Sequence, residues 1–399
     1  MSQALLRLWP LVQASSSLVF HNAIFFVFYQ EQIGLSPATI FAVTAYATAL
    51  RAVLDLPFGA LADRHSRRLC LVVGALGVFS GSLLLLIHPA LVTVLIAETL
   101  FASATALRSG ADSALLYDTL RARDALAEYP RYEGRGLAFS SIGSGVAAIG
   151  GGLLAAIDLR LAYAASAAAA AAAAVLASRL PEAREHSSVA ARRLDFDLLR
   201  QAARRALETS GVLWTVALAT FSVVASHIYY YLQQPYLQAI DVPIWAFGLV
   251  FAATKVLTAM VASGAHRIDA ALGERAAAGL MAVVPAAGLG AMALATGPAG
   301  VLAILSRGLL DGLWMPLVNV YMNRRAESHV RATTLSLMNV VSRLVLAAAL
   351  AVIGLVVSGL GLRATLFVCA GLAAVVGAGL TLAAPRRRGP GSMTAAAPS

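Results

Sequence analysis

The chain has 399 residues and a formal net charge of +10; 59% of its residues are hydrophobic and only 13% are charged. A soluble protein of this length carries about twice that charged fraction, so the composition excludes a large water-soluble domain. The positive charge does not indicate nucleic-acid binding, because most of the arginines occupy short turns between long apolar stretches.

The apolar residues form stretches of about 20 residues, the length of helix that crosses a bilayer. We predict an all-α membrane protein with one six-helix bundle at residues 1–180 and a second at 209–384. Residues 181–208 are expected to be a cytoplasmic loop with an amphipathic surface helix, and residues 385–399 a disordered cytoplasmic tail. The predicted spans, numbered one to twelve, lie near 8–30, 38–61, 69–88, 90–117, 135–157, 159–180, 210–232, 242–264, 276–296, 298–322, 332–357 and 361–384.

The arginines also predict the orientation of the chain. If the N-terminus is cytoplasmic, nearly every arginine outside the spans falls on the cytoplasmic side, and only Arg160 and Arg363 fall on the other. Basic residues accumulate in the cytoplasmic loops of membrane proteins, so both termini are predicted to be cytoplasmic. The arginine bias and the alanine run at 167–174 are associated with GC-rich bacterial genomes, so we expect a multi-pass protein of a bacterial inner membrane.

The turn between spans two and three reads GALADRHSRR at residues 59–68. It follows the pattern G-x-L-[AS]-D-[RK]-x-G-[RK]-[RK], except that Ser66 stands at the second glycine. Together with the division into six and six spans, this turn resembles the major facilitator superfamily. The resemblance implies two pseudo-symmetric six-helix bundles and a transporter, not an enzyme, that uses no cofactor.

The resemblance further implies that the turn is a conformational latch. In the family, the aspartate faces the start of span eleven and the arginines meet acids at the end of span four. A glycine in the turn permits close approach of helices. Arginines in a cytoplasmic turn can also serve orientation alone, which is the simpler alternative. The predicted latch residues are Gly59, Asp63, Arg64, Arg67, Arg68 and Asp118.

Charged residues inside the spans are candidates for function, because a charge in hydrocarbon costs about 2.5 kcal/mol or more unless it pairs or meets water. Three aspartates lie one helical turn after an arginine, so internal neutral pairs are one interpretation and proton coupling by the aspartate is the other. Two of the pairs occupy equivalent positions in spans four and ten, which favours duplicated halves. The pairs are Arg51/Asp55, Arg108/Asp112 and Arg307/Asp311.

Glu98 in span four has no basic residue one turn away. A carboxyl group removed from water is held more readily in its neutral form, which suits a proton carrier. Glu98 is therefore the first candidate for proton coupling, ahead of Asp55; substrate contact and a structural pair are the alternatives.

Substrate binding is predicted for polar residues of two kinds. Equivalent spans one and seven contain runs of aromatic and polar residues, and the cations of spans eight, ten and eleven could hold an anion. The candidates are Asn22, Tyr230, Gln234, Lys255, Arg307 and Arg343.

The first functional hypothesis is a monomeric secondary transporter that works by alternating access and exports a small amphipathic or drug-like molecule by proton antiport. One alternative is proton-coupled uptake of a small metabolite, for which the embedded cations suggest an anion. A second is translocation of a lipid or lysolipid, and a third is a sensor without transport. The expected partners are the substrate, H+ and the bilayer, and no metal site is expected.

Overall fold

The computed structural model describes residues 2–64, 66–181, 209–295, 297–326 and 331–385, with the side chains at 2–7, 63, 64, 110, 210 and 331–333 left out. The amphipathic helix predicted in the central loop and the predicted tail lie outside these residues. The boundaries proposed for the loop and the tail therefore stay predictions.

The described chain is all-α, and each predicted span from two to ten coincides with one observed helix. Most limits agree to within four residues, but the helix of span five begins six residues earlier than predicted, and those of spans seven and eight end seven and eight residues later. Spans two to six are Pro37–Arg64, Arg67–Ile87, Leu91–Arg121, Tyr129–Ala155 and Leu159–Ser178, and spans seven to ten are Ser210–Ala239, Ile244–Leu272, Glu274–Leu294 and Ala299–Arg325.

Spans eleven and twelve form one long helical segment, Arg331–Leu382, which is interrupted at Gly361. Gly361 has a φ of 80°, a left-handed conformation that glycine adopts without steric cost and that turns the chain back. Residues 331–360 and 362–382 are each long enough to cross a bilayer. Ten helices of the described chain are long and apolar enough to be spans; this segment counts once among them, and the broken span one is not included.

Span one is broken in the middle, which differs from the continuous helix predicted at 8–30. It consists of Ser2–Ser16, a short 3-10 turn at Phe20–Ala23 and a second helix at Phe25–Glu31. Three serines precede the turn, and Ser17 Oγ bonds to the carbonyl of Gln13 at 2.8 Å. Serine hydroxyls compete for backbone hydrogen bonds and so favour helix ends.

The first turn of the second helix of span one depends on span seven. The amide oxygen of Gln234 accepts a hydrogen bond from the backbone N–H of Phe26 at 2.9 Å. A helix begins with N–H groups that have no partner inside the helix, and a buried one requires a partner from elsewhere. A side chain of the second half therefore completes a helix of the first.

The twelve spans form two six-helix bundles, which pack on each other through spans two and eleven and through spans five and eight. We call the end that carries the turn at 59–68 the arginine-rich end and the end that carries Gly361 the arginine-poor end. At the arginine-poor end, a Cβ on Gly354 of span eleven would lie 2.9 Å from Phe41 Cβ of span two. Gly248 of span eight abuts the carbonyl oxygen of Ala148 in span five. The halves are thus in backbone-close contact at this end.

Candidate functional site

A cavity of about 500 Å³ lies between the two halves. Residues from spans one, two, three, four, seven, ten and eleven line it, so both bundles contribute to the wall. The close packing at the arginine-poor end closes the cavity on that side. The wall contains both aromatic and polar side chains, among them Asn22, Phe25, Thr48, Arg51, Glu98, Phe101, His227, Tyr230, Tyr231, Trp314, Asn339, Ser342 and Arg343.

Glu98 lies in this wall, and among the described residues its one hydrogen-bond donor is a neutral group. The hydroxyl of Tyr29 donates to Glu98 Oε1 at 2.8 Å. Tyr29 is itself buried in the core of the first half. Sequence spacing could not show this partner, because Tyr29 precedes Glu98 by 69 residues. Among the described residues, no cation forms an ion pair with Glu98.

Asp55 pairs across the two halves instead of along its own helix. Its Oδ2 forms an ion pair with Nη1 of Arg343 in span eleven. The helical spacing had offered Arg51 as the internal partner, and the described structure has no ion pair between Arg51 and Asp55. Arg343, predicted to hold an anion, therefore holds the carboxylate of Asp55 in this state.

The two equivalent pairs in spans four and ten have different partners. Arg307 Nε lies 3.3 Å from Asp311 Oδ2, and its guanidinium stacks over the Tyr230 ring at 5.2 Å. In span four, Arg108 donates to the carbonyl of Ser16 at 2.8 Å, beside the break in span one. The described residues contain no ion pair between Arg108 and Asp112, so the internal pair forms in span ten only.

Asp112 and Asp311 also receive hydrogen bonds from neutral donors. Asp112 Oδ1 accepts from the backbone N–H of Ser113 at 2.7 Å. Asp311 Oδ1 accepts from the hydroxyl of Ser226 in span seven. Neither aspartate is among the cavity-lining residues, whereas Glu98 is.

The polar residues predicted in spans one and seven meet each other across the halves. The carbonyl of Asn22 accepts from Gln234 Nε2 at 3.0 Å and from the hydroxyl of Tyr230 at 3.3 Å. Asn22 and Tyr230 line the cavity, while Gln234 is buried behind it and tethers span one. These contacts extend the closure at the arginine-poor end.

Lys255 lies apart from the other substrate-binding candidates. Its side chain is exposed, and Nζ is 5.6 Å from the centre of the Phe251 ring. It is not among the residues that line the cavity.

Two arginines of the turn at 59–68, Arg67 and Arg68, contact the first half. Arg67 forms an ion pair with Asp118 at the end of span four and donates to the carbonyl of Ala114 at 3.0 Å. Arg68 donates to the carbonyl of Leu180 at 3.3 Å. The contact between halves predicted for this turn involves Asp63, whose side chain, like that of Arg64, lies outside those described.

Gly59 and Ser66 show what the turn requires in this state. Apart from its chain neighbours and its own helix backbone, no described atom lies within 4 Å of the position that a Cβ on Gly59 would take, so none of the described residues makes the expected close helix contact there. Ser66 has a φ of −109° and its hydroxyl accepts from the backbone N–H of Leu69 at 2.9 Å. A serine N-cap therefore fits where the family pattern has glycine.

The second half carries the same kind of ion pair with the charges exchanged. Arg325 at the end of span ten pairs with Glu274 at the start of span nine. In the first half, the arginine begins span three and the acid ends span four. Spans three and four of the first half, and the equivalent spans nine and ten of the second, are thus each joined by one such ion pair.

Comparison with known proteins places the architecture in a family. The sequence model of the Major Facilitator Superfamily matches residues 11–351. The chain belongs to this superfamily. It is accordingly a multi-pass membrane transporter and not an enzyme. Comparison of the sequence with curated proteins gives no match.

Solved transporters of this superfamily have the same fold at low sequence identity. The nucleoside transporter NupG aligns with a TM-score of 0.77 and 12% identity over 96% of this chain and all of that one. A bacterial homologue of the human lysosomal transporter Spinster, in an inward-facing and unoccupied conformation, aligns with a TM-score of 0.75 and 14% identity, over 96% of this chain and 97% of that one. The D-xylose–proton symporter aligns with a TM-score of 0.70 and 13% identity, over 95% of this chain and 96% of that one.

Proposed function

We propose that this transporter moves a small amphipathic molecule through the central cavity by alternating access and couples that movement to protons. The observation that carries the proposal is Glu98 in the cavity wall, bonded to the neutral hydroxyl of Tyr29. A carboxyl group without a fixed cation can change its protonation state as water reaches it from one side or the other. Asp55 and Asp311 are each paired with an arginine, and Asp112 does not line the cavity, so these three rank behind it.

The wall composition supports an amphipathic substrate. Rings of Phe25, Phe101 and Tyr230 offer apolar surface, and Asn339 and Ser342 offer hydrogen bonds. Ligand cavities with few polar groups among aromatic side chains bind molecules that have both characters. A volume of about 500 Å³ suits a small molecule, which argues against the large acyl chains of a lipid.

The sequence analysis favoured efflux as the direction of transport. Efflux of an amphipathic molecule requires no charge on the substrate. Uptake of a small anionic metabolite is the second candidate, and the observation in its favour is the pair of arginines in the wall, Arg51 and Arg343. Asp63, Arg64 and the Arg67–Asp118 pair are proposed to stabilise the arginine-rich end when it closes.

The proposal is tested with purified protein in liposomes. Ligands are first selected from a compound library by their effect on thermal unfolding. We expect a pH gradient across the liposome to drive accumulation of a selected ligand, and a protonophore to stop it. The side of accumulation relative to the acidic side separates antiport from symport. Equilibration without accumulation at any pH gradient would contradict proton coupling.

The orientation of the chain in the membrane is proposed from the distribution of its arginines, and a separate experiment tests it. We expect reporter fusions at Ser2 and at Ser399 both to signal a cytoplasmic location, because the number of spans is even and the arginine-rich end faces the cytoplasm. A fusion between spans one and two, after Gly34, serves as the opposite-side control. An external signal from either terminus would contradict this orientation.

A further inference from the structure

Arg51 differs from the other arginines embedded in the described spans because it has no fixed partner. Arg307 lies beside Asp311, Arg108 beside the carbonyl of Ser16, and Arg343 beside Asp55. The Nε of Arg51 is buried without a hydrogen-bond partner, and no described residue forms an ion pair with its guanidinium. Its side chain lines the cavity.

An unpaired guanidinium at this depth is unfavourable in the empty protein. Desolvation of a charge without compensation costs free energy. A ligand that supplies a negative charge beside Arg51 would offset this cost.

We propose that Arg51 binds a carboxylate group of the substrate, with Arg343 on the opposite half as its second cation. The proposal rests on the proposed transport function and names the substrate class of the same cavity. A carboxylate fits because one positive charge of the Arg51–Asp55–Arg343 cluster is uncompensated: Asp55 neutralises Arg343, and Arg51 remains. A guanidinium can also bind both carboxylate oxygens at once.

The proposed position explains how a substrate would join the two halves. Arg51 lies in span two and Arg343 in span eleven, so a carboxylate between them contacts both bundles. The rest of the substrate would lie against Tyr230 and Tyr231, which line the same wall. In the empty carrier, Asp55 is the counter-ion of Arg343. When the substrate binds, its carboxylate and that of Asp55 share Arg343.

Thermal unfolding separates this role from a structural one. We expect Arg51→Met to leave the unfolding temperature unchanged or raise it, because it removes an uncompensated charge. Arg343→Met should lower it, because it leaves Asp55 unpaired. A lower unfolding temperature for Arg51→Met, comparable to that of Arg343→Met, would show that Arg51 is structural and would overturn the proposal.

Charge selectivity of the cavity is measured without knowing the substrate. Thr48→Cys, one turn before Arg51 on the same wall, is introduced after both native cysteines are replaced by alanine. We then measure the rates at which two methanethiosulfonate reagents modify this cysteine. One carries a negatively charged sulfonatoethyl group and the other a positively charged trimethylammonium-ethyl group. Arg51→Gln should lower the ratio of the negative to the positive reagent by about tenfold, given a unit charge about 6 Å away, the usual separation of side chains three residues apart on a helix. Arg51→Lys should keep the ratio, and an unchanged ratio in Arg51→Gln overturns the proposal.

Binding is tested with 4-toluate and its neutral amide, 4-toluamide. The carboxylate should raise the unfolding temperature of the wild-type protein more than the amide does, and this difference should vanish in Arg51→Gln. It should persist in Arg160→Gln, a matched loss of charge at an exposed site. Equal effects of the two probes on the wild type contradict a carboxylate site. If charge selectivity is present but pH-driven transport is absent, the proposed function fails and this site stands.

Discussion

Arg343→Met is expected to abolish transport and to destabilise the purified protein by about 1–3 kcal/mol, measured by unfolding in detergent. Arg343 is the partner of Asp55 across the two halves, and its loss leaves a carboxylate uncompensated within the membrane. The range lies below the usual cost for a fully buried pair, because both side chains retain some exposure to the cavity.

A double variant distinguishes the missing partner from a general packing defect. Asp55→Asn combined with Arg343→Met removes both charges, so it should recover most of the stability while transport stays absent. A packing defect predicts that the double variant is less stable than either single one. Equal stability of Arg343→Met and the wild type would contradict the role of this ion pair.

Glu98→Gln is expected to abolish accumulation driven by a pH gradient, by a factor of at least about 100, while ligand binding and ligand exchange persist. A glutamine keeps the shape of the neutral acid and can still bond to Tyr29, but it cannot take up or release a proton. Binding, exchange and gradient-driven flux are measured on one preparation in liposomes.

Tyr29→Phe is the matched control for Glu98→Gln. It removes the hydrogen bond and keeps the titratable group, so accumulation should continue, with a changed pH dependence. If Glu98 is structural, both variants should lose binding, exchange and flux together. If Glu98→Gln still concentrates its ligand against a gradient, Glu98 is not the coupling residue and Asp55 is the next to test.

The sequence predicted the spans well because each is a local pattern. Twenty apolar residues must form a helix in a bilayer whatever surrounds them, so the limits of spans such as Leu159–Ser178 were close to those observed. The broken span one was missed, because its apolar residues run through the break. The three serines before Phe20 were the available signal, but the hydrogen bond from Phe26 to Gln234 that accommodates the break joins residues 208 positions apart.

Partners of the embedded charges were only partly predictable, for the same reason. Helical spacing suggested the pair of Arg307 and Asp311 correctly, since both lie on one face of one helix. The same spacing predicted Arg51 as the partner of Asp55, yet Asp55 forms its ion pair with Arg343 of span eleven. Competition between a local and a distant partner depends on how the halves pack, which no local pattern contains.

The predicted latch combined a contact within the first half with a contact between the halves. The expectation that the arginines of the turn meet an acid at the end of span four agrees with the Arg67–Asp118 pair. That pair lies within the first half, so it can stiffen the turn without itself joining the halves. The joining role proposed for Asp63 stays a prediction.

Alternating access is tested most directly by locking the arginine-poor end. Phe41→Cys and Gly354→Cys are combined after the two native cysteines are replaced by alanine. The Cβ atoms would lie 2.9 Å apart, so a shift of about 1 Å brings them to disulfide distance. We expect oxidation to stop transport in liposomes and a reductant to restore it, because the disulfide prevents the halves from separating at this end. The reduced double variant controls for the loss of the Phe41 ring. Full transport by the oxidised, cross-linked protein would contradict the account.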